Sequence, residues 1–514
     1  MFESPTKSTW WLPTLGFFLF LAIIGLWRYN DPARIFADPG VGRHLRTAEF
    51  ILETGQIPRA DPLSFTKPGA PWTDFEWAYE TTIGELYRLG GLPLIATFCF
   101  AIFAATVLGV YRTLLHSGVG LGPLVIVTLL VGTTLVIHFS ARPVLFTYLF
   151  FALVVEVWNR RTAPLMRDWI CLPVIFIAWA NLHGGWIGAL VFLVLAMAGR
   201  LLDRATRHVD GHEAPLIPWV GLTALCAAVV SINPWGWGLY HSIYHLATGL
   251  KSAATWEEYQ PPNFGTPSLA DIRMSAIAIL FLVIVVVCAR AARKAPRWSW
   301  SAVIPVLFFL WQGLKAQRHV LLLVEIAAVP LARDLQALLP RTLPPLDEIF
   351  ERFQARQREA GGDAVLALIS VLVLAVIFTY TPLAEPIQVG RTVTPKLVAF
   401  LHDHPDRFQR PMTTTTNGGP LLWAMRPDFR VSIDDRGDFY GDDFVYRSID
   451  TTNGSEGWDK KLEEENYDSL LVDPYLPINR LLKFRPTWKE VYRDEHVVVY
   501  WKDPMKLEPA APPQ

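Results

Sequence analysis

This 514-residue sequence is short of charge, short of cysteine and lacks the signatures of common soluble enzymes. Charged residues make up 18% of it and apolar residues 52%, whereas roughly a quarter of an ordinary soluble protein is charged. The 47 acidic and 46 basic residues nearly cancel, which argues against a strongly basic nucleic-acid binder. No P-loop, GxSxG, HExxH or dinucleotide-binding fingerprint occurs. These shortages make a large soluble enzyme improbable and favour a polytopic membrane protein.

The four cysteines agree with this prediction because each lies inside an apolar run. No CxxC or Cys/His spacing of a zinc site is found, and small apolar packing inside helices is the expected role. They are Cys99, Cys171, Cys226 and Cys288.

Long apolar segments dominate the first three quarters of the chain. A span needs about 20 apolar residues, and about eleven segments qualify. The first, with only Lys7 as a base in front of it and no small-residue cleavage site after it, is expected to be a retained helix. The predicted spans are Trp10–Trp27, Leu89–Leu114, Leu121–Ile137, Val144–Trp158, Trp169–Leu182, Trp186–Leu202, Leu216–Ile232, Met274–Ala289, Trp300–Leu314, Val320–Leu335 and Ala364–Tyr380.

Basic residues are concentrated in alternate short loops, which predicts the orientation of the chain. Such loops are usually cytoplasmic, so the N-terminus should lie inside, and both the long first loop (28–88) and the C-terminal segment outside. The inside set comprises Arg160, Arg161, Arg167, Arg200, Arg204, Arg207, Arg290, Arg293, Lys294, Arg297, Arg341, Arg352, Arg356 and Arg358.

The composition changes near Gly390, where charged residues, Pro and Asp become frequent. Short β-rich and helical runs alternate there, which predicts a small α/β domain. We therefore expect a mainly α, polytopic membrane domain over 1–389 and an extracytoplasmic α/β domain over 390–514. The predicted helices are Pro395–His402 and Trp458–Glu465, and the predicted strands are Met412–Thr416, Phe429–Ile433, Ser469–Val472 and His496–Trp501.

The first loop carries several carboxylates that would lie at the membrane surface. Partly buried there, one of them could act as a general base for an acceptor hydroxyl or amine. Plainer roles compete with this hypothesis, because Asp61-Pro62 is a turn starter and Asp74 and Glu76 could cap the following helix. Helical spacing also predicts a short helix over His44–Leu52.

Motifs spread over most of the chain resemble those of a group of bacterial multi-pass proteins. That group is similar to the GT-C type glycosyltransferases, relatives of protein O-mannosyltransferases and lipid A aminoarabinose transferases. The matching segments are Asp38–His44, Ile57–Phe65, Glu76-Trp77, Ala141–Pro143, Trp179–Gly184, Ile232–Gly236, Glu258–Phe264, Arg318-His319, Gly418–Trp423 and Ile433–Arg436.

The resemblance implies transfer of a sugar from a polyprenyl-phosphate donor by an acidic residue of the first outer loop. Asp38 is the matching position. The group commonly has a second acid two residues on, where this chain has Gly40, which weakens the case for a divalent metal cofactor. The implied setting is the bacterial inner membrane, with membrane lipid, a polyprenyl-phosphate-linked donor and a glycan, lipid or protein acceptor as partners, and no nucleic acid.

Cations at predicted outer helix ends could hold the phosphate of such a donor, although contact with lipid headgroups would also explain them. His183 could serve donor or acceptor binding, or only a helix-end hydrogen bond. The predicted catalytic residues are Asp38, Glu76 and Asp74. The predicted substrate-binding residues are His44, Asp61, Arg142, His183, Lys315, Arg318 and His319.

An acidic run in the C-terminal segment could bind calcium or an acceptor sugar, but a solvated loop is the favoured interpretation. It comprises Asp434, Asp435, Asp438, Asp442 and Asp443, with Arg436 among them.

Two other classes of function remain open at this stage. One is a transporter or flippase of lipid-linked saccharides, and the other a non-catalytic envelope scaffold. The enzyme hypothesis requires Asp38 to lie near Arg318 and His319 in one groove.

Overall fold

The structure is a computed structural model that describes residues 14–28, 35–136, 139–207, 215–248, 251–265, 273–292, 297–338 and 392–503, with 352, 355–357 and 369. The predicted last span, Ala364–Tyr380, therefore lies outside the described residues except for 369, as does the start of the first span. The prediction of a mainly helical chain with a small C-terminal sheet is confirmed.

Twelve helices precede the C-terminal segment in the described residues. Three of them are long and apolar enough to cross a membrane by length and composition, namely Trp77–His116, Trp186–Thr206 and Met274–Ala291. The count of about eleven spans stays a prediction. The helices are α1 (Leu15–Arg28), α2 (Gly40–Thr54), α3 (Trp77–His116), α4 (Leu121–Val136), α5 (Val144–Arg160), α6 (Asp168–Leu182), α7 (Trp186–Thr206), α8 (Ile217–Val229), α9 (Gly238–Thr248), α10 (Arg273–Ala291), α11 (Trp300–Lys315) and α12 (Val320–Leu338).

Helix α3 is broken near its middle. Gly90 and Gly91 leave helical geometry, with Gly91 at φ 65°, and Pro93 follows them inside the helix. A positive φ is easily reached only by glycine, and a proline lacks the N–H that would continue the ladder. The break coincides with the predicted start of the span at Leu89, so the first three turns of α3 belong with the polar loop that precedes them.

The basic loops contact one another at one end of the helical layer. Arg200 donates to the carbonyl oxygens of Thr162 and Arg161 at 2.9 and 3.0 Å, and its guanidinium lies 3.8 Å from the Trp158 ring centroid. Asp203, at the end of α7, accepts from the backbone N–H of Trp300 at the start of α11. The ends of α5, α7 and α11 on the predicted cytoplasmic side are therefore linked, and the orientation of the chain stays a prediction.

The C-terminal segment holds a four-stranded sheet surrounded by short helices. The strands are β1 (Pro411–Met412), β2 (Ser469–Val472), β3 (Trp488–Arg493) and β4 (Val498–Lys502), in the order β1-β2-β4-β3. The β1–β2 pair is parallel and the other two pairs are antiparallel. The helices are α13 (Pro395–His402), α14 (Gly418–Ala424), α15 (Gly437–Tyr440), α16 (Asp442–Asn453), α17 (Trp458–Glu464) and α18 (Ile478–Leu481).

Most of these elements match the predictions, and the differences have local causes. Helix α13 begins as predicted, because Thr394 accepts a hydrogen bond from the Leu397 N–H and Pro395 fits the first turn. The prediction of a strand over Phe429–Ile433 is wrong. Only Val431 pairs, and its partner is Ser64 of the first loop. Strand β3 was not predicted, because its charged residues alternate with few apolar ones.

The first loop and the C-terminal segment share one core. The N–H of Phe65 donates to the Val431 carbonyl at 3.1 Å, and the Val431 N–H donates to Leu63 at 3.2 Å. The Leu63 side chain is buried among apolar residues of the C-terminal segment. Helix α2 packs closely on α14, since a Cβ on Gly42 would meet the Gly419 carbonyl oxygen at 2.3 Å. The predicted boundary at residue 390 stays a prediction, but the two regions are physically continuous.

Candidate active site

Asp38 stands at the entrance to helix α2, where Pro39 and Gly40 turn the chain. One carboxylate oxygen accepts from the Gly40 N–H at 2.9 Å, and the other accepts from Arg142 Nη1 at 3.1 Å. Its side chain is 24% exposed, so a substrate can reach it. Burial raises the pKa of Asp38 above its ordinary value; Arg142 opposes this shift and Asp435 adds to it. A raised pKa makes the carboxylate a better proton acceptor.

Glu258 joins two arginines beside Asp38. Its oxygens lie 3.4 Å from Arg142 Nη1 and 3.6 Å from Arg318 Nη1, and the Arg318 guanidinium lies 4.1 Å from the Tyr259 ring centroid. Four separate segments thus converge, and we call Asp38, Arg142, Glu258 and Arg318 the Asp38 cluster. Its members are 24% to 33% exposed, which leaves the two guanidiniums open to an anion.

Arg43 forms a second, deeper layer of the site. Its Nε donates to Asp435 at 2.9 Å, its Nη1 donates to Glu80 at 3.1 Å, and its Nη2 lies 3.6 Å from Glu76. Burial works against the charge of this guanidinium, but the surrounding carboxylates hold its pKa above the ordinary value. The arginine is therefore a fixed cation that binds α2, α3 and the C-terminal segment together.

Glu76 lies between Arg43 and two histidines. Its oxygens are 3.9 Å from His44 Nε2 and 3.9 Å from His183 Nε2. Burial raises the pKa of Glu76 to about 7, although Arg43 and Arg142 favour the charged form. A carboxylate with such a pKa is suited to exchange protons near neutral pH.

His44 is held neutral by its neighbours. Its Nε2 lies 3.1 Å from Arg43 Nη2, which can only donate, so Nε2 accepts and the proton is on Nδ1. Nδ1 then donates to Glu80 at 2.9 Å. Burial and the charge of Arg43 lower the pKa of His44 well below its ordinary value. In this arrangement His44 orients Arg43 and Glu80.

The other predicted residues occupy different surroundings. Asp74 is 2% exposed, and burial raises its pKa. A carboxyl sealed in this way is out of reach of a substrate, which suits a supporting role. Asp61 accepts from the Leu63 and Ser64 N–H groups and pairs with Arg436 at 2.9 Å, so the structure places it in a separate buried cluster.

The remaining polar residues at the helix ends differ in what they contact. Lys315 is exposed, and its Nζ lies 4.3 Å from the Trp311 ring centroid. His319 Nδ1 donates to the Gln312 carbonyl at 3.3 Å. His183 Nδ1 lies 2.6 Å from the Thr147 hydroxyl oxygen. Among the predicted cations, the structure therefore joins Arg142 and Arg318 directly to the Asp38 cluster.

Arg43, Glu80 and Glu258 were not among the predicted catalytic or substrate-binding residues, and Asp435 was named only within the acidic run of the C-terminal segment. Arg43 and Glu258 lie inside two of the motifs that carry the resemblance. A charged residue next to apolar helix positions was the feature of the sequence that could have indicated a role for them. The prediction of a solvated loop is wrong for Asp434 and Arg436, which are 0% and 4% exposed. Burial of that loop depends on contacts with residues near position 61, which local sequence does not reveal.

The carboxylates of the candidate site are poorly placed to bind a metal ion. Among the described residues, no group of three or more His, Cys, Asp or Glu side chains is placed to hold one. Asp38, Glu76 and Asp435 are each engaged by an arginine instead. We therefore derive no chemical step through a metal.

Comparison with known proteins finds a likeness among solved structures. No protein-family model matches the chain, and no curated protein sequence matches it significantly. The crystal structure of ArnT from Cupriavidus metallidurans, bound to undecaprenyl phosphate, aligns with 96% of this chain and 99% of that chain, at 12% identity and a TM-score of 0.40.

Proposed function

We propose that this chain is a membrane glycosyltransferase of the GT-C kind that transfers a sugar from a polyprenyl-phosphate donor to an envelope acceptor. The observation that carries this proposal is the Asp38 cluster. It places a carboxylate with a raised pKa beside two partly exposed arginines, which are the groups that such a transfer needs.

In the proposed reaction Asp38 takes the proton of the acceptor hydroxyl or amine. The freed electron pair attacks the anomeric carbon of the sugar, and the bond from that carbon to the phosphate oxygen breaks. The polyprenyl phosphate leaves with the bonding electrons, and its added negative charge falls beside Arg142 and Arg318. Stabilising charge that develops in the transition state is the largest contribution in many enzymes.

Glu258 keeps the two arginines in place in the absence of an anion. Its carboxylate lies within 3.6 Å of both guanidiniums, so a phosphate would compete with it for the same N–H groups. Arg318 also rests on Tyr259, which holds the plane of its guanidinium. This arrangement supports phosphate binding over contact with lipid headgroups, because the partners of both arginines are protein groups.

A transporter or flippase of lipid-linked saccharides is the alternative. Transport would need the polar groups but not a base, and the raised pKa of Asp38 and that of Glu76 favour chemistry. The scaffold alternative gives no reason for four charged residues to stay partly exposed in one cluster.

The proposal is tested by Asp38→Asn, with Glu53→Gln as the control for loss of an exposed carboxylate of the same loop. Membranes containing each variant receive a panel of polyprenyl-phosphate-linked sugars, and release of polyprenyl phosphate is measured. We expect Asp38→Asn to lower release by about 100-fold or more, the usual contribution of a general base, and Glu53→Gln to retain wild-type release.

Two results would overturn the proposal. Release at the wild-type rate by Asp38→Asn would show that Asp38 is not the general base. Movement of intact lipid-linked sugar across vesicle membranes, without release of polyprenyl phosphate, would identify a transporter.

A further inference from the structure

Asp435 reaches the Asp38 cluster from the other end of the chain. Its Oδ1 accepts from Arg43 Nε at 2.9 Å, across 392 positions of sequence. The side chain is 21% exposed, so it is neither sealed inside the C-terminal segment nor free in solvent. Asp435 lies just before α15 and reaches Gly40 at the start of α2.

Gly40 is the point where the two aspartates meet. A Cβ built on Gly40 would lie 2.8 Å from Asp435 Oδ2 and 3.1 Å from Asp38 Oδ1. Both carboxylates therefore face the same Cα, and the absence of a side chain at residue 40 makes room for them. The proteins that this chain resembles commonly have an acid two residues after Asp38, whereas Gly40 leaves that space open here.

The charged and titratable groups around Asp38 come from four directions. Arg142 precedes α5, Glu258 lies in the 3₁₀ turn Glu257–Tyr259, Tyr79 is on α3, and Asp435 is in the C-terminal segment. Arg142 is shared between Asp38 and Glu258, so its cationic effect on Asp38 is divided. Asp435 adds a like charge to the surroundings of Asp38.

We propose that Asp435, contributed by the C-terminal segment, is a positioning residue of the active site that lies beside Asp38 at Gly40 and fixes Arg43 through its hydrogen bond. The negative charge of Asp435 makes Asp38 a stronger base. This rests on the proposed role of Asp38. It assigns the C-terminal segment a part in catalysis, beyond admitting the acceptor.

The test measures the protonation of Asp38 without any substrate. A hydrophobic carbodiimide modifies protonated carboxyls, so labelling of Asp38 in the full-length protein in nanodiscs, followed by peptide mass spectrometry from pH 4 to 9, gives a midpoint. Asp435→Asn removes a negative charge near Asp38, so the midpoint of Asp38 labelling should fall by about one pH unit. Asp435→Glu, which restores the charge, should return it close to wild type.

The matched control is Asp443→Asn, which removes the same charge from an exposed position of α16. It should leave the midpoint unchanged. An unchanged midpoint in Asp435→Asn, or an equal fall in the control, would overturn the inference. If Asp435→Asn does not fold, Asp435→Ala decides by the same criterion. Because labelling needs no donor, failure of the proposed function would appear separately, as transfer by Asp38→Asn.

Discussion

Two ionic clusters contain residues of the first loop, and they serve different purposes. The Asp38 cluster joins the loop to Arg142, Glu258 and Arg318, whereas the second cluster joins it to the C-terminal segment. The second, which we call the Arg436 cluster, consists of Arg436, Asp434, Asp61 and Tyr440. Both combine arginine with carboxylates, and both bring together residues far apart in the sequence.

The two clusters differ in how completely their polar groups are satisfied. Arg436 binds Asp434 with Nε at 2.9 Å and Nη2 at 2.7 Å, and binds Asp61 with Nη1 at 2.9 Å. These side chains are at most 3% exposed. Burial raises the pKa of Asp434, but the charge and hydrogen bonds of Arg436 outweigh this effect and bring the pKa below its ordinary value. In the Asp38 cluster the contacts lengthen to 3.1–3.6 Å and exposure rises.

Residue types alone do not separate these two kinds of cluster. A saturated, sealed cluster stabilises the joint between two regions, and each of its groups has its partners within the protein. A looser cluster keeps donors available for a ligand, at a cost in stability that active sites commonly carry. Asp61 and Asp38 look equivalent in the sequence, but only Asp38 is placed to meet a substrate.

The largest expected effect comes from breaking the sealed cluster. Arg436→Met should lower the free energy of unfolding by about 3–5 kcal/mol, because it leaves two buried carboxylates without their cation. Thermal unfolding in detergent measures it. Arg318→Met is the control, and it should cost about 1 kcal/mol or less, as partly exposed ion pairs do. Equal losses in the two variants would contradict the distinction between the clusters.

Neutralising Glu76 should raise the free energy of unfolding, whereas Arg436→Met should lower it. The pKa of Glu76 is about 7 in the folded protein against an ordinary 4.5, so folding disfavours its charged form. The resulting loss of stability is absent well below pH 4.5, grows between about pH 4.5 and 7, and is constant at higher pH. Glu76→Gln should therefore raise stability at pH 8, by up to about 3 kcal/mol.

The gain in Glu76→Gln should nearly vanish at pH 4.5, which separates it from a general improvement in packing. Unfolding temperatures at the two pH values give the comparison. A variant that is equally or less stable than wild type at pH 8 would show that Glu76 is not held against its charge.

The smallest effect distinguishes the predicted phosphate ligands. Loss of charge-assisted hydrogen bonds should make Arg318→Met bind undecaprenyl phosphate about 10-fold to 100-fold more weakly. Lys315→Met should change it by less than about threefold, since Lys315 rests on Trp311 and solvent screens its charge. Binding to protein in nanodiscs measures both. Equal weakening would place Lys315 in the binding site after all.

The helices could be predicted because each apolar run has few alternatives. Backbone polar groups in lipid must be satisfied within the segment, so such a run forms a helix. The start of the predicted span at Leu89 therefore falls at the Gly90–Gly91 break. Strand β3 could not be found in this way, because its pairing with β4 compensates for a weak local pattern.

The candidate site was predicted in its parts but not in its connections. Asp38 was implied by the resemblance, and Arg142 and Arg318 were predicted from their charge and their places at helix ends. Glu258 received no role and Asp435 was named only within the acidic run, because nothing local distinguishes a carboxylate that binds an arginine from one that faces solvent.

The sequence by itself determined a helical membrane protein with a polar first loop and a small C-terminal sheet, since apolar length and local propensity suffice for those features. The tertiary structure alone decided which charges meet. Asp38 pairs with Arg142 across 104 positions, and Arg43 with Asp435 across 392. Such pairs form because helix packing and the close Gly42–Gly419 contact bring distant segments together, and no local pattern encodes that proximity.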